Sequence, residues 1–494
     1  MTEFRRVHIE SRLTEPLFCR NIVATLLAIV LSLTLMQTCD AQDTQDNNQD
    51  DSRPATSQNS TSQTETPAYD PPAPPPTPLI RERTEDQVEE FLRQAPPSTD
   101  RGKAPGLQIF TETSFDTGAL LAAAIACFGC LCLMIPGSVL FISGMSGHAL
   151  PSVFLGRLIS VLCLLSFLWL GVLYSYSFSR NAHTRDVLGS EIHSGDPSSA
   201  PGSRFVGDER FFAMHGILPS WTADKLHYPL HRRYDRIPHL AFAIVQMCIY
   251  LSAIAPLVVI VSASSNRLGV ILFSVVWSCL VYVPACYWTA GGGWLADCID
   301  MGSGIQLHVV VGFSVLGISM VLRPRESSQK MNPDRLAIGV LLYGAGLLMS
   351  SSLGLIDNNP VRGIAWLNIF IGGATGTLIW SILPNKHPDE EALWPIGLLS
   401  GCAVVLAGAA AMFPVAAVMA AVCGTVLTRG LLRAGAFGIH DCRGQLLSAF
   451  GCAGGLGLLM TGVMAVVDVA GADSTGHPIS GLLGGDLEQI RVQF

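Results

Sequence analysis

The stretch Val281-Tyr282-Val283-Pro284-Ala285-Cys286-Tyr287-Trp288, then Gly291-Gly292-Gly293-Trp294-Leu295, then Asp300 and Leu307-His308-Val309-Val310-Val311, decides how the chain is read. It joins two apolar runs, 268–289 and 303–322, through a glycine-rich break with a carboxylate at the entry to the second run. Each run is long enough to cross ~30 Å of hydrocarbon as a helix. In lipid such a run has to be helical, because no water is present to satisfy its backbone. A histidine within it is a functional-site hypothesis by default; the bland alternative is an interhelical hydrogen bond to a hydroxyl.

Eight more apolar runs surround this pair, at 117–143, 156–178, 238–263, 336–356, 361–383, 393–412, 414–432 and 446–470. Ten helical crossings are therefore expected in an all-α integral membrane domain over 109–494. Composition agrees: 49% of the 494 residues are hydrophobic and 14% charged, against roughly a quarter charged in soluble domains. Mean hydropathy is +0.42.

The N-terminal fifth is different. Arg5, Arg6, Arg12 and Arg20 precede the uncharged stretch 22–36 and then Thr38-Cys39-Asp40-Ala41. This order predicts a secretory signal peptide over 1–41; an uncleaved anchor helix is the other reading. Residues 42–108 are rich in Asp, Gln, Ser, Thr and Pro, including Pro71-Pro72-Ala73-Pro74-Pro75-Pro76. Such a segment buries too little apolar surface to order itself, so a disordered external tether is expected.

Loop charges set the orientation. Arg323, Arg325, Lys330, Arg335, Lys386, Arg429 and Arg433 fall on one side if the first helix starts outside. The excess of Lys and Arg in cytoplasmic loops makes that side internal. The expected location is the cell inner (plasma) membrane, multi-pass, with the N-terminus outside. The Arg- and His-rich loop 180–237 would then be external, near the length at which the charge rule weakens.

The net charge of −8 is concentrated in the N-terminal tail and no basic patch invites nucleic acid. Most of the fourteen cysteines lie in apolar runs, as do Cys127, Cys130 and Cys132, and there they act as small hydrophobes. No metal-ligand spacing, nucleophile–base set or phosphate loop is present, so neither an enzyme nor a cofactor is expected.

The opening stretch resembles the fourth and fifth helices of the ammonium transporter (Amt/Rh) family, including the eight-residue separation of Asp300 and His308. Asp116-Thr117, Pro136-Gly137 and Gly144-Met145 are similar to the first helix of that family, Ile237-Pro238-His239 with Gln246 to the third, and Asn368 to the seventh. The resemblance implies two inverted five-helix repeats, a homotrimer, and a narrow pore in each subunit that carries ammonium, ammonia or methylammonium. It also implies a vestibule at Asp300, where the bland reading is an N-cap. It places Ser352 at the mouth, where a serine otherwise bonds back to the preceding turn.

Several positions depart from the family pattern. The gate phenylalanines fall on Ile249 and Leu348, and the vestibule tryptophan falls on Ala290, with Trp288 two residues away. Losing an aromatic face forfeits roughly 0.5–2 kcal/mol of cation attraction. The second pore histidine falls on Phe450 when Met460-Thr461-Gly462 sets the register; His440 in Phe437-Gly438-Ile439-His440 is the alternative and needs an insertion within a helix. Gly481-Leu482-Leu483-Gly484-Gly485 through Gln489 resembles the entry to the family's eleventh helix, and the chain ends at Phe494, so ten crossings are expected where the family has eleven. The leading expectation is transport past His308 and Phe450. The alternatives are a transport-deficient sensor or assembly subunit, and a path for a neutral gas.

Overall fold

The computed structural model describes residues 117–147, 152–179, 205–222, 225–227, 229, 237–296, 298–322, 331–352, 363–385, 388–434, 442–470, 480–484, 489 and 493. The chain divides into units 1–98 and 99–494, and the first, with the signal-peptide and tether expectations, lies outside the described residues.

Ten helices form the described part of the second unit: α1 Thr117–Ser146, α2 Phe154–Phe178, α3 His239–Ser262, α4 Arg267–Thr289, α5 Ile305–Val321, α6 Pro333–Ser350, α7 Ile364–Ile382, α8 Trp394–Leu406, α9 Pro414–Arg433 and α10 Cys442–Met464. Their order is that of the apolar runs. A short antiparallel hairpin, Ser220–Thr222 with Lys225–His227, lies between α2 and α3 and is the departure from an all-helical chain among the described residues. Past α10 come the short helix Val467–Ala470 and a turn at Leu482–Gly484.

Seven of these helices (α1–α4, α7, α9 and α10) are long and apolar enough to span a membrane. The run 393–412 differs from the expectation of a full crossing helix, because α8 ends at Leu406 and the next six residues turn while staying buried. Non-helical backbone at that depth needs internal partners. The Asn368 side chain on α7 donates to the carbonyls of Ala409 and Met412, both at 2.8 Å, and the backbone N–H groups of Met301 and Val466 take those of Ala407 and Ala411. Pro414, which biases its predecessor away from the helical region, then opens α9.

The packing is a two-fold pattern. α1 lies against α6, and α5 against α10, each helix meeting the one five places on. Small residues permit these contacts, as is usual where lipid supplies no hydrophobic drive between helices. A Cβ at Gly137 of α1 would stand 2.7 Å from the Tyr343 nitrogen of α6, and one at Gly312 of α5 would strike the Gly451 backbone of α10.

At one end of α2 the segment 205–217 folds back over the bundle. The Ser175 hydroxyl donates to the Asp208 carbonyl and accepts from the Phe211 N–H, and Phe211, Met214 and Ile217 are buried. Phe211 meets the His239 ring edge-on at 5.0 Å, and the Tyr174 hydroxyl lies 2.7 Å from His239 Nε2.

Candidate functional site

The α5–α10 seam carries the site. Both helices widen there into π-helical turns, Ile305–Val309 and Leu447–Cys452. Such single-turn bulges recur at functional positions because they re-aim side chains within an otherwise regular helix. They deliver His308 and Phe450 to each other: the two rings lie 4.5 Å apart, centroid to centroid, and neither residue has solvent-exposed surface.

Two further aromatics complete the enclosure. Tyr343 on α6 stacks on Phe450 at 5.6 Å and 26° and sends its hydroxyl to 3.4 Å from His308 Nε2. Phe141 on α1 meets Tyr343 edge-on at 5.5 Å and Phe450 at 6.2 Å. His308 Nδ1 is buried and has no hydrogen-bond partner among the described residues. An orphaned buried polar atom costs about 1–3 kcal/mol, so its presence calls for a reason. Tyr343 and Phe141 are the residues that sequence reasoning missed. A hydroxyl at Tyr343 within an apolar run was the available signal, but its target depends on α6 lying across α1.

Asp300 sits just ahead of α5. Its carboxylate accepts from the backbone N–H of Gly304 at 2.5 Å and of Ile305 at 3.0 Å, two of the donors a helix start leaves open. Burial pushes this carboxyl above the ordinary range, and the two N–H bonds oppose that shift. Asp300→Ala strands both donors, so an unfolding loss of about 1–3 kcal/mol is expected in detergent. Asp300→Asn, which keeps one good acceptor, should fall between it and the parent; equal melting of all three would remove the capping role.

The remaining sequence-derived positions are spread around this centre. Ser352 is buried and donates to the Ala122 carbonyl of α1 at 2.7 Å. Ile249 is buried in α3, and Leu348 is partly buried on α6, both packed into the main core. Trp288 is partly buried with its indole N–H unpartnered among the described residues, and lies 5.7 Å from Trp294, which is largely exposed. Ala290 is partly buried against the core. His440 lies outside the described residues. Among the described residues no cluster of three or more His, Cys, Asp or Glu is placed to hold a metal.

The profile of the Ammonium Transporter Family matches residues 122–494. The chain belongs to the ammonium transporter family. An ammonium transporter of Bacillus subtilis is 28% identical over 386 residues, covering 73% of this chain and 83% of that one. Among solved structures, Saccharomyces cerevisiae Mep2 aligns with a TM-score of 0.63 at 20% identity, over 77% of this chain and 81% of that one. A sensor Amt protein aligns with a TM-score of 0.56 at 16% identity, over 76% and 86%. At those identities the structural matches speak for the fold alone. This member of the ammonium transporter family thus shares the fold of the solved structures, with the rings of Phe450 and Tyr343 against His308 and Phe141 packed behind them.

Proposed function

We propose that the protein passes ammonium nitrogen across the bilayer through each subunit, in the neutral form, along the α5–α10 seam and past His308. The observation that carries this reading is the open Nδ1 of a fully buried imidazole between the two repeats. Uncompensated transfer of an ammonium ion into hydrocarbon is far too costly for flux. An imidazole that can donate or accept at each nitrogen offers ammonia a partner in place of water. The rings of Phe141, Tyr343 and Phe450 exclude water from that point, and their turning would govern passage. Trp288, Ala290, Asp300 and Ser352 would belong to the outer vestibule, with Ile249 and Leu348 as an aliphatic gate. We further place the chain as a homotrimer in the plasma membrane, N-terminus outside.

A second reading draws on the same enclosure. Rings packed tightly around His308 also suit a subunit that holds the ligand and does not release it across the membrane, acting as a sensor or assembly partner. Methylammonium uptake into proteoliposomes separates the two. The parent is expected to accumulate the amine and His308→Ala to fall to the empty-vesicle rate. A parent that shows no uptake yet gains thermal stability with methylammonium would give the site to the sensor reading.

A further inference from the structure

The hydroxyl of Tyr343 is the second polar group at the centre of the seam, and the hydrogen-bond accounting around it is restrictive. Phe450, facing His308, offers no polar atom. Tyr343 is 1% exposed, its ring is clamped by Phe141 and Phe450, and the partner of its hydroxyl among the described residues is His308 Nε2 at 3.4 Å. A neutral imidazole has one N–H and one lone pair, and a phenol has one O–H with lone pairs of its own. If Nε2–H donated to the phenol, the O–H of Tyr343 and the lone pair of Nδ1 would both be buried and unmet. If the phenol donates to Nε2, the N–H on Nδ1 is the one unmet ring group. The second arrangement leaves one orphan fewer, and each orphan is expensive at this depth.

We infer that Tyr343 is a positioning residue: its O–H donates to Nε2, fixes His308 as the Nδ1–H tautomer, and so presents a hydrogen-bond donor to the permeating molecule. This deepens the transport reading above and rests on it for its functional half. A donor at Nδ1 suits a species with a lone pair, which means ammonia or methylamine. Ammonium and methylammonium, which carry no lone pair, gain nothing from it. The selectivity for the neutral amine is then built into one phenol–imidazole bond, and the rings of Phe141 and Phe450 hold the phenol in place for it.

Two measurements on the full chain test this, and they fail separately. Nitrogen-15 NMR of histidine-labelled protein in lipid, with the His308 signal assigned by its loss in His308→Ala, should show the Nδ1–H tautomer in the parent. In Tyr343→Phe, which keeps the stacked ring, that signal should revert to the Nε2–H tautomer common in water. A parent already in the Nε2–H form, or a signal that Tyr343→Phe does not move, overturns the inference whether or not the protein conducts. In methylammonium uptake, Tyr343→Phe should lower the rate about tenfold, the scale of one lost hydrogen bond, and Tyr343→Phe with Phe450→His should recover part of it by supplying a new polar partner. A tautomer set as expected in a parent without uptake leaves the inference standing and defeats the transport reading. Uptake unchanged in Tyr343→Phe overturns the claim that the bond matters to passage.

Discussion

Glu390→Ala is expected to lower stability by about 3–5 kcal/mol, the scale for breaking a buried ion pair from one side. One oxygen of Glu390 serves two arginines of α9, with Arg429 at 3.2 Å and Arg433 at 2.6 Å, and the side chains of Arg429 and Glu390 are each 2% exposed. Arg429 also donates to the Trp380 and Pro384 carbonyls and to Asn385 Oδ1, and its guanidinium lies over the Trp380 ring at 5.0 Å. The group ties the α7–α8 connection to the end of α9. Removing the carboxylate leaves a buried guanidinium with no counter-charge among the described residues, which is worse than removing both partners. The double change Glu390→Met with Arg429→Met should therefore cost less than Glu390→Ala alone. Thermal unfolding of the detergent-solubilised protein, followed by tryptophan fluorescence, provides the ranking. A loss below about 1 kcal/mol for Glu390→Ala would mean the pair behaves as a surface salt bridge.

This cluster also shows where loop charge misleads. Counted by sequence, Arg429 is one more cation on the internal side. The structure places it inside α9 and buries it, because the connection carrying Asn385 and Glu390 folds back over it. The positive-inside count treats such a residue as an address for the bilayer surface, while its contacts make it a structural tie. The same contrast runs through the rest of the chain. Apolar runs of span length yield ten helices in order, since lipid leaves a long apolar segment no other way to satisfy its backbone. The end of α8 was not legible, since what permits Ala407–Met412 to unwind is the side chain of Asn368, supplied from another helix. His308 was legible as a histidine in an apolar run. Its partner Tyr343 was not, since nothing local to Leu341-Leu342-Tyr343-Gly344 says which helix that hydroxyl will face. Family resemblance put Phe450 in register, and only the packing of α5 on α10 shows that its ring covers the imidazole.

The seam that makes the site depends on Gly312 of α5. Gly312→Val should leave little correctly folded protein. A Cβ at Gly312 collides with the nitrogen and Cα of Gly451 and stands 2.9 Å from the carbonyl carbon of Phe450, and these are backbone atoms, which cannot turn aside as a side-chain tip can. Overpacking of a well-fitted interior costs typically 1–3 kcal/mol and more when backbone has to move, so a loss above about 3 kcal/mol is expected. Gly317→Val, on the same helix but with nothing within 4 Å of the added carbon, serves as the control and should fold and melt like the parent. Membrane yield and melting temperature in detergent decide the comparison; equal behaviour of the two variants would mean that α5 and α10 are not held at backbone contact. Gly312→Ala adds the colliding carbon alone and offers the functional half of the test. Gly312 is one turn from His308, so forcing the helices apart withdraws the imidazole from Phe450 and from the phenol of Tyr343 together. A folded Gly312→Ala should then lose the fixed His308 tautomer, although no residue of the aromatic enclosure has been changed.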